Sequence, residues 1–143
     1  KDMILKKWAF MHTKFHPMNI LMYDEKVAAI LDFEDINWCP AIAVLGFNAY
    51  KLIREMMTNS KIRQNEILNP TLVNRWLEGW RMSFPKPNWG TKILGKGARY
   101  RVLCLIRLIL NESLKSGNPE YLYDLEKQIY SLYEIDQIFG VNN

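Results

Sequence analysis

The chain has 143 residues, a formal net charge of +4, 49% apolar residues and 24% charged ones. That balance belongs to an ordinary globular protein and excludes a disordered one. The length predicts one domain, residues 1–143, with a core large enough to fold without disulfides or a structural metal.

Two cysteines, Cys39 and Cys104, show no C-x-x-C spacing, which argues against a disulfide framework and for a reduced, cytoplasmic setting. Lys1-Asp2-Met3 leads into no secretory apolar region. Because Lys1 is not a natural start, the chain reads as a piece of something longer. The most apolar stretch, Val102 to Leu110, has nine residues and carries Arg107. Crossing a bilayer takes roughly 20, so no membrane association is expected.

Short, turn-separated apolar stretches come first: Trp8 to His12, Asn19 to Tyr23 and Val27 to Phe33. Asp24-Glu25-Lys26 between the last two fits a β-hairpin closed by a three-residue polar loop, although runs this short do not by themselves exclude helix. After Pro40 the period becomes helical. Ala41 to Met57 places Val44, Leu45, Ala49, Leu52, Ile53 and Met56 on one stripe. Asn69-Pro70 reads as an N-cap with proline at the first helical position, and Leu72, Trp76, Leu77 and Trp80 continue a face. Pro85 to Gly90 reads as a loop.

Ala98 to Ser116 is the next predicted helix. Its apolar residues, Val102, Leu103, Leu105, Ile106, Ile109 and Leu110, cover most of the circumference and predict a central, buried element. Gly117 follows as the C′ residue, and Asn118-Pro119 opens the last helix. That helix should bury Leu122, Leu125, Ile129, Leu132, Tyr133 and Ile138 before Gly140 ends it. The expected fold is α+β and mostly helical: a β-hairpin unit over residues 1–40, then about four helices over 41–143.

The chemistry concentrates in His12-Thr13-Lys14-Phe15-His16-Pro17-Met18-Asn19-Ile20-Leu21 and in Ile30-Leu31-Asp32-Phe33-Glu34-Asp35. An Asn on a loop and an Asp at a strand end, joined by a tight hairpin, can lie side by side. A carboxylate with an amide oxygen suits Mg²⁺, which keeps waters and takes phosphate oxygens for its remaining positions. Protein kinases hold their nucleotide metal with such a pair.

These two motifs resemble the aminoglycoside phosphotransferase and choline kinase-like family. Its members read His-Gly-Asp-Leu-His-Pro-Gly-Asn-Ile-Leu and, after a hairpin, Ile-Asp-Phe-Glu. The resemblance covers about the first 40 residues and implies the C-terminal lobe of a protein-kinase-like fold. It also implies transfer of the ATP γ-phosphoryl to a small-molecule hydroxyl acceptor. By that resemblance His12 matches the motif's first His and braces the loop, while Asn19 and Asp32 match the residues that bind Mg²⁺ and nucleotide.

Lys14 stands where the family has the Asp that accepts the hydroxyl proton. A lysine of unperturbed pKa near 10.4 is a cation at pH 7 and does not take up that proton. Thr13 replaces a Gly, and Ala43 replaces a second, loop-bracing Asp. Gly95-Lys96-Gly97 fits neither a P-loop nor the kinase Gly-rich loop. The resemblance therefore implies that an N-terminal lobe or partner chain supplies the nucleotide cover, and that catalysis is weak. The alternative is a non-catalytic pseudokinase or interaction module on the same fold.

His12, His16 and Cys39 follow no zinc spacing. Glu34 and Asp35 read as a solvated or loop-bracing pair. From Arg81 to Arg107 there are seven basic residues and no acidic one. Arg99, Arg101 and Arg107 read better as rim charges, or as partners of the acidic last helix, than as a nucleic-acid surface. Glu112, Glu126, Glu134 and Asp136 are candidates to meet a cationic acceptor.

Overall fold

The computed structural model of the protein describes residues 7–59, 70–83 and 89–141. The architecture is α+β and mostly helical, a small β unit followed by four helices. The β unit consists of two antiparallel ribbons, one nested in the loop of the other. Strand β1 (Trp8–His12) pairs with β4 (Ile36–Pro40), from Trp8 opposite Pro40 to His12 opposite Ile36. Between them, β2 (Ile20–Tyr23) pairs with β3 (Lys26–Ile30).

The inner hairpin closes in two residues, not in the three expected, because Lys26 already pairs with Tyr23. Asp24 and Glu25 both take positive φ, 49° and 60°, the mirror-image turn whose twist matches the flanking strands. Neither residue is a glycine, so each carries a steric penalty there. Replacing the pair with Asn-Gly is expected to stabilise the protein by about 1 kcal/mol. The denaturation midpoint should rise with no change in slope; an unmoved midpoint would show that the turn is not strained.

Strand β4, which the sequence reading did not anticipate, runs without a loop into α1 (Ala41–Asn59). The junction is fixed by the Ala41 amide, which donates to the Lys7 carbonyl at 2.9 Å. Residues 41–50 are all buried, so the first turns of α1 are covered all round and not along one stripe. Next come α2 (Pro70–Ser83), α3 (Thr91–Ser116) and α4 (Glu120–Phe139). The predicted cap at Asn69 and most of the predicted loop at 85–90 lie outside the described residues; Trp89 and Gly90 precede α3 without helical structure.

Helix α3 begins at Thr91, seven residues before the expected Ala98. The glycines that hid this segment are the reason it packs. A Cβ on Gly46 of α1 would lie 2.1 Å from the Leu94 carbonyl oxygen, and one on Gly97 would lie 2.2 Å from that of Ile42. The two helices therefore touch backbone to backbone. Around this contact Ile42, Ala49, Tyr50, Leu94, Ala98, Val102 and Ile135 are wholly buried, and the larger of these side chains each contribute about 2 kcal/mol.

Burial in α3 is confined to its N-terminal half: Leu94, Gly95, Gly97, Ala98 and Val102. Leu103, Leu108, Leu110 and Leu114 are exposed, which corrects the expectation of a helix buried throughout. Gly117 takes the expected left-handed cap, φ 66°, and its amide donates to the Ser113 carbonyl. The Asn118 side chain accepts from the Glu120 amide at 3.0 Å. In α4 the buried residues are Ser131, Ile135, Ile138 and Phe139, whereas Leu122, Ile129 and Tyr133 are exposed. The helix uses only its last turns against the core, so the inward face differs from the one the whole-helix period indicates.

Candidate functional site

The loop after β1 is tied to the turn Phe33–Asp35 by a cluster of bonds to one carbonyl. The Asp35 carbonyl accepts from the Thr13 amide at 3.0 Å, the Thr13 hydroxyl at 2.9 Å and the Asn37 side chain at 3.1 Å. Thr13, read from sequence only as a bulky departure from Gly, is thus a tie between the two loops. His12 donates from Nε2 to the Leu31 carbonyl at 2.7 Å, and its ring packs edge-on against Phe15 and tilted against Phe33. Its place is that of a brace between loops. Asn48, buried in α1, donates to the His12 carbonyl at 3.4 Å. Ala43, where the resemblance has a bracing Asp, is buried with 2% exposure and has no polar side-chain group to brace with; the Asn48 bond ties α1 to the end of β1.

The structure brings Asn19 and Asp32 together. The inner hairpin sets Asn19 beside Leu31, whose amide donates to the Asn19 carbonyl at 2.8 Å, and Asp32 follows directly. The Asn19 side chain donates to the Lys14 carbonyl at 3.0 Å and to Asp32 Oδ2 at 3.3 Å. Asp32 is held in the left-handed region, φ 64° and ψ 46°, a conformation costing roughly 1–2 kcal/mol outside glycine. Oxygens of Asp32, Glu34 and Asp35 lie within 4.8 Å of one another. The Asn19 NH2 group is spent on Lys14 and Asp32, so the oxygens of the kind Mg²⁺ accepts are the Asp32 carboxylate and the Asn19 Oδ1.

Lys14 faces this acidic group. Its Nζ lies 2.5 Å from Asp35 Oδ2. Asp35, first as hydrogen-bond acceptor and then as a charge, raises the Lys14 pKa above its ordinary value, and Asp32 and Glu34 add to the effect. The ammonium is therefore more firmly protonated than a free lysine.

The acidic residues offered for a cationic acceptor are largely engaged within the protein. Glu134 accepts from the buried Tyr50 hydroxyl and pairs with Arg54 at 3.1 Å. Burial, and then this bond, push the Tyr50 pKa well above its usual value. Asp136 pairs with Arg99 at 2.6 Å, as the sequence allowed, and Glu112 with Lys115 at 3.0 Å.

Two cavities adjoin the loop. On one side an apolar groove of about 750 Å³ is lined by His12, Phe15, Phe33, Trp76, Trp80 and Trp89, among others. On the other a cavity of about 540 Å³ runs from the loop to α1, α3 and α4 and is lined by Lys14, Lys51, Arg54, Arg101 and Lys127, with Glu55 the one carboxylate among the described lining residues. The cationic lining escaped the sequence reading, because its members come from four separate segments. Only Lys51 and Arg54, one helical turn apart, hinted at it.

Comparisons with protein-family models, with characterised proteins and with solved structures find no match. The functional reading therefore rests on the residues and their geometry.

Proposed function

We propose that the chain is the C-terminal lobe of an ATP-dependent small-molecule phosphotransferase of aminoglycoside phosphotransferase or choline kinase type, impaired at position 14. The observation that carries the reading is the 3.3 Å contact between Asn19 and Asp32 across the inner hairpin. In this reading the two residues hold Mg²⁺, and the metal carries the nucleotide phosphate oxygens. His12 and Thr13 keep the two loops in place.

The apolar groove beside His12 lies where an N-terminal lobe or partner chain, with the nucleotide base, has aromatic surface to cover. The acceptor is a small-molecule hydroxyl compound, and nucleic acid is not its partner. A cytoplasmic setting agrees with the two free cysteines, and among the described residues no helix is long and apolar enough to cross a membrane. The ion pair of Lys14 with Asp35 favours a second reading, a non-catalytic module that keeps the fold and the metal pair.

Thermal unfolding with ATP and Mg²⁺ tests the metal and nucleotide assignment. A ligand at 100 times its Kd adds about 2.7 kcal/mol, so a rise of several degrees is expected, absent without Mg²⁺ and absent in Asp32→Ala. If the chain gives no shift at millimolar MgATP with its N-terminal lobe or partner chain supplied, nucleotide binding is rejected and the interaction module is left.

A further inference from the structure

The second cavity collects five cations, three of which form no ion pair among the described residues. Lys14 has Asp35 and Arg54 has Glu134 as partners. Lys51, Arg101 and Lys127 form no ion pair among the described residues. The Lys51 ammonium lies instead over the rings of Phe47 and Tyr50, 5.2 and 5.8 Å from their centroids. Arg101 Nε is buried without a hydrogen-bond partner. Three helices thus converge positive charge on one concave, half-enclosed space, beside a loop that adds Lys14.

We propose that this cavity binds a small phosphorylated molecule carrying at least two negative charges. Phosphate oxygens satisfy the requirements of the lining: a fork donor from Arg101, point charges from Lys51 and Lys127, and an apolar wall at Phe47 and Leu105 for the rest of the ligand. Burial, and then the charges of Arg54 and Lys127, already lower the Lys51 pKa, a condition that a bound anion relieves.

Anion binding here does not depend on the phosphotransferase reading. Where that reading holds, an acceptor seated in this cavity is anionic, and polyamine acceptors are repelled.

Pyrophosphate in Mg²⁺-free buffer is the probe, titrated calorimetrically into the full chain at low salt. Binding is expected to weaken as salt is added. It should fall about tenfold or more in Arg101→Gln and in Lys127→Gln, and stay unchanged in Asp32→Asn. Lys127 is exposed, so its replacement leaves the core intact. No binding at millimolar pyrophosphate, or equal binding by the wild type and both cavity variants, overturns the proposal. Loss of pyrophosphate binding in Asp32→Asn also overturns it, because the phosphates would then belong to the nucleotide site. MgATP binding that survives Arg101→Gln but not Asp32→Asn keeps the phosphotransferase reading even where the pyrophosphate result is negative.

Discussion

Gly46→Ala is expected to lower stability by about 3 kcal/mol or more, roughly 10 °C in Tm for a chain of this length. The added methyl would meet the Leu94 carbonyl oxygen at 2.1 Å and the Ala98 amide nitrogen at 2.8 Å. Both are backbone atoms of α3, so no side-chain rotation relieves the clash, and the two central helices must separate. Separation uncovers Ile42, Leu94, Ala98 and Val102 together, which is why the loss exceeds that of an ordinary overpacked core site. Gly97→Ala should behave alike, since its methyl would meet the Ile42 carbonyl oxygen at 2.2 Å.

Gly79→Ala is the matched control. Gly79 also lies within a helix, α2, but a methyl there meets nothing within 4 Å. Removing its backbone freedom should stabilise by about 0.5–1 kcal/mol. Thermal unfolding followed by circular dichroism reads all three, and a Gly46→Ala protein as stable as the Gly79→Ala one would refute the close helix contact.

The same glycines show where sequence reasoning reached its limit. A glycine within a helical period lowers the helix signal by about 1 kcal/mol relative to alanine, so Gly95 and Gly97 concealed the first turns of α3. What Gly97 gains is a contact with α1, far upstream in the chain, and what Gly95 gains is one with Phe139 and Val141, far downstream; local periodicity encodes neither. Strand β4 was illegible for a similar reason, because its partner β1 lies on the far side of the nested hairpin.

Features with local causes were legible. The inner hairpin, the Gly117 cap and the Asn118 bond to the start of α4 all follow from neighbouring residues. Asn19 and Asp32 were legible as a pair because only the hairpin separates them. The cationic cavity was not, because Lys14, Lys51, Arg101 and Lys127 meet only once α1, α3 and α4 have packed.

Lys14→Asp is the substitution expected to change function most. In the wild-type protein the ammonium pairs with Asp35 and carries a pKa raised above the ordinary 10.5. It therefore stays charged throughout the neutral pH range, and no pH there converts it into a base. The contact of the Asn19 side chain with the position-14 backbone carbonyl does not involve the lysine side chain, so the loop geometry survives the exchange.

The substitution adds a fourth carboxylate beside Asp32, Glu34 and Asp35 and removes the ammonium that pairs with Asp35. Without a divalent ion the variant should melt below the wild type at low ionic strength, by like-charge repulsion alone. Mg²⁺ should reverse that loss, with at least about tenfold tighter binding than in the wild type, because affinity at oxygen-ligand sites follows ligand charge. With a carboxylate in place to take the hydroxyl proton, phosphoryl transfer from ATP should rise by at least about 10²-fold. The rise is to be measured in the same assay with the N-terminal lobe or partner chain supplied to both proteins. Equal turnover by the wild type and the Lys14→Asp variant would show that position 14 does not limit the reaction. Equal Mg²⁺ affinity would show that the metal does not sit among these carboxylates.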